Sequence, residues 1–250
     1  MSETLPLTDK IALVTGASRG IGRAAALALA KAGAQVVAVA RTQGALEELD
    51  DEMRAATGRP ATLVPLDVAD GDALDQLGFA LHQRFGRLDV LVHAAAVLGP
   101  LTPVAHIEPA HWASVVAINL TAPYRLIRTT EPLLRAAPAA RAIFLTSSRS
   151  HRPRAFWGPY GATKAGLENL VRTWADELEQ TNIRAVLLEP GAMRTRMRAE
   201  AMPGEDPETL PDPSEIGPLI VELACKADLG LPTSNVAFGA WKTAAKPASA

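Results

Sequence analysis

Cysteine is almost absent. Cys225 is the single one in 250 residues, so no intrachain disulfide can form, which fits a reducing compartment. Aromatic residues make up only 4% of the chain. The 48% hydrophobic fraction, enough for a sizeable core, is therefore mostly aliphatic. No apolar run reaches the about 18 residues of a membrane-spanning helix. The opening MSETLPLTDK is polar and acidic and lacks the apolar core of a signal peptide. These features point to a cytoplasmic protein. The formal net charge of -2 supplies no overall basic field, which argues against a nucleic-acid partner. No repeat of solenoid period stands out, and no metal site is expected. At 250 residues the chain suits a single domain.

What is there is an alternation. Apolar runs at 11–15, 35–40, 61–66, 88–92, 141–146 and 183–188 read as buried strands, with a short one near 236–238. Between them lie helical patterns, including 42–57, 70–85, 112–134, 158–179 and 215–227. Strands alternating with helices predict an α/β fold. The expectation is a single Rossmann-type, doubly wound domain: a mostly parallel seven-stranded sheet with helices on both faces. Residues 1–9 read as a loose lead-in and the tail from 242 as frayed. The acidic, proline-rich stretch 203–214 is either a mobile substrate lid or a plain surface loop.

In such a sheet, ligands bind beyond the carboxyl ends of the strands. Gly16-Ala17-Ser18-Arg19-Gly20-Ile21-Gly22 follows the first strand and precedes a helix. That arrangement aims backbone N–H groups and a helix N-terminus at a phosphate. The second strand ends in Ala40-Arg41, with no carboxylate for a ribose 2′-hydroxyl. Arg41, with Arg19, favours NADP over NAD unless both are merely solvated. Asp67, His93–Ala96, Ser147 and Pro190-Gly191 also follow strands and are expected at the same edge. Tyr160 and Lys164 stand one helical turn apart, close enough for an ammonium to favour a phenolate.

Together these residues carry a likeness. Thr15 to Gly22, Asp67, Asn119, Ser147, Tyr160-x-x-x-Lys164 and Pro190-Gly191 resemble the short-chain dehydrogenase/reductase family, in order and at its spacing, from about Lys10 to Phe238. Within it, the stretch from Trp157 to Arg198 and the ending near Glu205–Pro213 look most like YciK-like bacterial oxidoreductases. The resemblance implies hydride transfer between NADP(H) and a carbonyl or secondary-alcohol substrate. Tyr160 would be the general acid–base, and Ser147, with Ser148 as runner-up, would bind the substrate oxygen. Lys164 would hold the nicotinamide ribose and lower the Tyr160 pKa. Asn119 would position a water in a proton relay. Gly16, Ser18, Arg19, Gly20, Ile21, Gly22, Arg41, Asp67, Val68, Ala94, Ala95, Pro190, Gly191 and Thr195 would contact the cofactor beside Tyr160 and Lys164. Members of the family are usually homo-oligomers, so a dimer or tetramer is expected.

One segment departs from the family. His93-Ala94-Ala95-Ala96 stands where Asn-Asn-Ala-Gly is usual, removing a strand-tying side chain and narrowing the ribose site. His93 reads as a packed strand-end residue. Arg149, His151, Arg152 and Arg154 crowd the loop before Tyr160. They suit an anionic substrate, or else form a solvated loop or a subunit contact. Phe156 and Trp157 either wall the cleft or pack beneath the helix. Leu167, Leu170, Val171, Trp174 and Leu178 face either the core or a partner. The competing reading of the whole is a regulator or scaffold that binds NADP(H) without turnover.

Overall fold

The computed structural model describes residues 4–226 and 233–244. The chain alternates as expected: β1 (Ile11–Thr15), α1 (Gly20–Lys31), β2 (Gln35–Ala40), α2 (Gln43–Thr57), β3 (Thr62–Pro65), α3 (Gly71–Phe85) and β4 (Val90–His93). Next come α4 (Pro109–Val116), α5 (Ala122–Ala136), β5 (Ala140–Leu145), α6 (Gly158–Glu177), β6 (Ile183–Glu189) and α7 (Arg196–Ala201). The described chain closes with α8 (Gly217–Cys225), β7 (Thr233–Ala237) and α9 (Phe238–Ala244). No helix among the described residues is long and apolar enough to cross a membrane.

The seven strands form one sheet in the order β3-β2-β1-β4-β5-β6-β7, and every pairing is parallel. The strands are continuous apolar runs because both faces are covered. Successive residues of β1 point to opposite faces and enter different cores. Ala12 and Val14 pack with α1, α2 and α8, whereas Leu13 packs with α3, α5 and α6. The chain builds outward through β2 and β3, then returns to place β4 on the other side of β1. That reversal opens a crevice at the carboxyl ends of β1 and β4.

The ends differ from expectation. The lead-in is not loose over its described part. Leu7 is buried in the α1 core, and its N–H donates to Ala32 O at 2.9 Å. The apolar Leu7 side chain finds more to bury there than in water. The last strand starts earlier than expected, and Phe238 opens α9 instead of closing β7. Residues 242–244 belong to that helix, with Lys242 paired to Glu215. The rest of the expected frayed tail, 245–250, lies outside the described residues, as does residue 227 of the expected helix 215–227. The start of that helix is a 3-10 turn, Pro213–Ile216, closed by an Asp212/Glu215 capping box.

Candidate active site

Two clefts meet at Tyr160. The larger, about 540 Å³, occupies the crevice. Gly16, Ser18, Arg19, Gly20, Ile21, Gly22, Arg41, Asp67, Val68, Ala94, Ala95, Lys164, Pro190 and Thr195 line it. The smaller, about 220 Å³, is lined by Ser147, Ser148, Arg149, Trp157 and Gly191 among others. Tyr160, Pro190 and Thr195 border both. The structure thus brings the expected site residues to one edge, with one exception: Asn119 stands behind the wall, beside the lining residue Ile118.

The larger cleft suits a dinucleotide. Gly16 has φ +70, and a Cβ there would stand 2.7 Å from Ala95 N. The loop can make this close turn only without a side chain. Arg19, the residue before α1, makes no side-chain cap, and the first turn of α1 has no acidic residue. Its N–H groups are thus left to an anion. At the far end exposed Arg41 lies 3.8 Å from half-buried Asp67. The other Asp67 oxygen accepts from Ala69 N at 2.9 Å. Thr195 caps α7 by accepting from Arg198 N at 3.2 Å.

Around Tyr160, burial decides the charges. The phenol packs edge-on against Trp157, with ring centroids 5.8 Å apart. Burial raises its pKa above the usual value of 10.0, and the Ser147 hydroxyl opposes this more weakly. The expected depression by Lys164 is therefore not what the structure gives. The ammonium lies 5.8 Å from the ring centroid and donates to Leu145 O at 2.7 Å. Lys164 is 3% exposed, and burial brings its own pKa down to about 8, with Glu168 pulling the other way.

Asn119 sits in a π-helical turn, Ala117–Thr121, between α4 and α5. It is 1% exposed. Its Oδ1 accepts from Val97 N at 2.9 Å, and its Nδ2 donates to Val97 O at 2.9 Å and to Thr163 at 3.2 Å. Both donors are spent, leaving one Oδ1 lone pair for anything else. The amide thereby locks the loop after β4 to α6. Such π turns often mark functional sites.

His93 is a packed strand-end residue. Its Nδ1 shares a proton with the Thr15 hydroxyl at 2.9 Å. That bond ties β1 to β4, where the family's Asn is missing. Nε2 is buried without a partner. Burial first, then the Lys164 charge, lowers the His93 pKa to about 3, so the ring is neutral.

Trp157 walls the smaller cleft, while Phe156 is exposed at φ +74, a left-handed conformation rare for a bulky residue. Leu167, Val171, Trp174 and Leu178 are buried in this chain's own core, with Leu170 packed at its margin, so that stripe is not free for a partner. The stretch 203–214 is pinned by ion pairs of Arg194 with Glu208 and Asp212 and of Arg198 with Glu205. Asp212, Pro213 and Ser214 line the larger cleft.

Sequence reasoning missed Glu168. Its Oε1 accepts from Thr146 and from Ser150, both at 2.6 Å, and its Oε2 from Arg172 at 2.8 Å. The Ser150 Oγ also lies 2.8 Å from Ser147 O, so its single proton is shared between these two acceptors. One carboxylate thus fixes the Ser147 loop to the helix bearing Tyr160. The available signal was its spacing, one helical turn beyond Lys164.

Comparison with known proteins agrees with this geometry. The model of the short chain dehydrogenase family matches residues 10–206. The oxidoreductase YciK of Escherichia coli K12 is 36% identical over 219 residues, spanning 87% of this chain and 86% of its own. A short chain dehydrogenase from Shigella flexneri, solved with NADP, superimposes with a TM-score of 0.89 at 34% identity, covering 93% of this chain and 98% of its own. One from Escherichia coli, solved with NADPH, gives the same TM-score, identity and coverage. On the strength of that match, the all-parallel sheet and the residues gathered at its edge, this chain belongs to the short chain dehydrogenase family of oxidoreductases.

Proposed function

We propose that the chain is an NADP(H)-dependent oxidoreductase acting on a carbonyl compound or the corresponding secondary alcohol. The observation that carries this is the position of Tyr160 at the junction of a dinucleotide-sized cleft and a smaller one lined by Ser147. Arg19 and Arg41 at the larger cleft, with no carboxylate ending β2, favour the 2′-phosphate of NADP. The NADP and NADPH complexes of the two similar structures support the same choice. When bound, the cofactor supplies the hydride, and carbonyl, NADPH and a proton give alcohol and NADP⁺.

In reduction, the Ser147 hydroxyl donates a hydrogen bond to the substrate oxygen, with Ser148 beside it. Tyr160 donates the proton, and its raised pKa keeps it protonated, hence an acid, at neutral pH. The Lys164 ammonium stabilises the phenolate left behind and holds the nicotinamide ribose. Asn119 secures the loop at Val97 and offers its remaining lone pair to a relay water. Asp67 and Val68 take the adenine end, Ala94 and Ala95 the ribose, and Pro190, Gly191 and Thr195 the nicotinamide. Exposed Trp112 and Tyr124, on α4 and α5, suit a homo-oligomer, a dimer or tetramer. A single exposed cysteine suits the cytoplasm.

The test is NADPH oxidation against a panel of ketones, aldehydes, quinones and 3-ketoacyl compounds, with NADH in parallel. Turnover faster with NADPH is expected. Tyr160→Phe should lose about 100- to 10,000-fold in rate while still binding NADPH. Unchanged turnover in that variant would remove Tyr160 from the chemistry. NADPH binding with no turnover anywhere would favour a regulator or scaffold.

A further inference from the structure

The basic loop before α6 is sorted by the fold. Of its four basic residues, Arg149 and Arg154 line the smaller cleft, whereas His151 and Arg152 do not. Arg149 is half-buried, and its guanidinium lies 5.9 Å over the Trp157 ring. Its one side-chain hydrogen bond is a long one, 3.4 Å, to the neutral Ser148 hydroxyl. Neither Arg149 nor Arg154 pairs with a carboxylate among the described residues. Arg198, the third cation of the cleft, is already held by both oxygens of Glu205, at 2.5 and 2.6 Å. The one acidic lining residue is Glu189. The cleft therefore carries two guanidiniums without a carboxylate partner, half-buried Arg149 and exposed Arg154, against one carboxylate, Glu189. Its other walls are apolar: Leu98, Trp157, Met197 and Ala201.

A partly desolvated guanidinium without an anion is an incomplete interaction, and its planar fork matches a carboxylate. Two steps of 5.8 and 5.9 Å, through the Trp157 ring, connect the Tyr160 ring to the Arg149 guanidinium. The Tyr160 ring and the Arg149 guanidinium thus lie no more than about 12 Å apart, within reach of the two ends of one small substrate. We propose that the substrate is an oxo acid, or the matching hydroxy acid. Its carbonyl or alcohol oxygen lies at Ser147 and Tyr160, its carboxylate at Arg149 and Arg154, and its apolar body against Leu98, Trp157 and Met197. This rests on the function proposed above and names the substrate class of that site.

The experiment compares acids with their neutral esters. Phenylpyruvate, acetoacetate and levulinate, each beside its ethyl ester, are titrated into the protein–NADPH complex. Binding is read from NADPH fluorescence, and kcat/KM wherever turnover occurs. At least one acid is expected to bind about 10- to 100-fold more tightly than its ester, as charge-assisted hydrogen bonds give. Added salt should weaken the acid and not the ester. In the Arg149→Gln/Arg154→Gln variant, checked for unchanged NADPH affinity, the acid-to-ester ratio should fall to about one. Equal affinity of acid and ester in all three pairs, including binding of neither, overturns the proposal. So does a preference that survives in the double variant. Failure to bind NADPH at all would instead strike at the oxidoreductase reading.

Discussion

Lys164 and His93 are both buried and respond to burial in the same direction, but with opposite consequences at neutral pH. Lys164, with a pKa of about 8, keeps its charge at pH 7 and loses it in mildly alkaline solution. Because the proposed mechanism uses that ammonium, reductive kcat/KM should fall as pH rises through about 8. A pH–rate profile that stays flat to about pH 10, where an unperturbed lysine titrates, would contradict this. His93 stays neutral until about pH 3, whereas the unfolded chain protonates its histidine at the ordinary value near 6.5. Between those values the unfolded state binds the extra proton, so stability is lost as pH falls below 6.5. The expected loss is about 1.4 kcal/mol per pH unit, or about 2 kcal/mol at pH 5. His93→Asn should remove this dependence, as urea unfolding at pH 7 and pH 5 would reveal.

Among the elements, α6 does the most positioning. Pro159 opens it, Tyr160 and Lys164 stand on its cleft-facing turns, and Glu168 one turn later grips the loop of Ser147 and Ser150. Removing that carboxylate leaves the Thr146 hydroxyl short of an acceptor, frees Ser150 from α6, and takes from Lys164 the charge that raises its pKa. Glu168→Ala should cost about 1–3 kcal/mol of stability. It should also move the alkaline limb of the pH–rate profile to lower pH. Glu168→Gln keeps most of the packing but not the charge, so it should move the limb with a smaller stability loss. A limb that stays in place in both variants would reduce Glu168 to a packing role. The π turn holding Asn119 is a second positioning element, joining the loop after β4 to Thr163 of α6.

For the molecule as a whole, the sheet separates two cores, and the crevice exists because the strand order reverses between β3 and β4. The amino-terminal segment belongs to one of these cores through Leu7. Leu7→Ala should cost about 2–5 kcal/mol and lower the Tm by about 5–15 °C. The NADPH affinity of the folded protein should be unchanged, because Leu7 lies outside both clefts. A Tm within a degree or so of the parent would mean that the lead-in is loose after all.

The alternation of elements was legible because its cause is local. Runs such as 35–40 are apolar throughout, as strands buried on both faces must be, and the glycines of 16–22 announce a backbone turn. Motif spacing went further, bringing Ser147, Tyr160 and Lys164 to one edge. The chain's carboxyl end was less legible: β7 and α9 are short, and their boundaries depend on packing against β6 and α8. Charge states were not legible at all. Spacing put an ammonium one turn from a phenol, but the pKa of Tyr160 rises because of how much protein covers it, which no local pattern records. The same holds for Glu168 and for the four basic residues at 149–154. Sequence determined the fold, the family and which residues are proposed to react. Tertiary structure alone decided which guanidiniums enter the cleft and which carboxylate grips the loop, because burial and long-range contacts are set by the assembled chain.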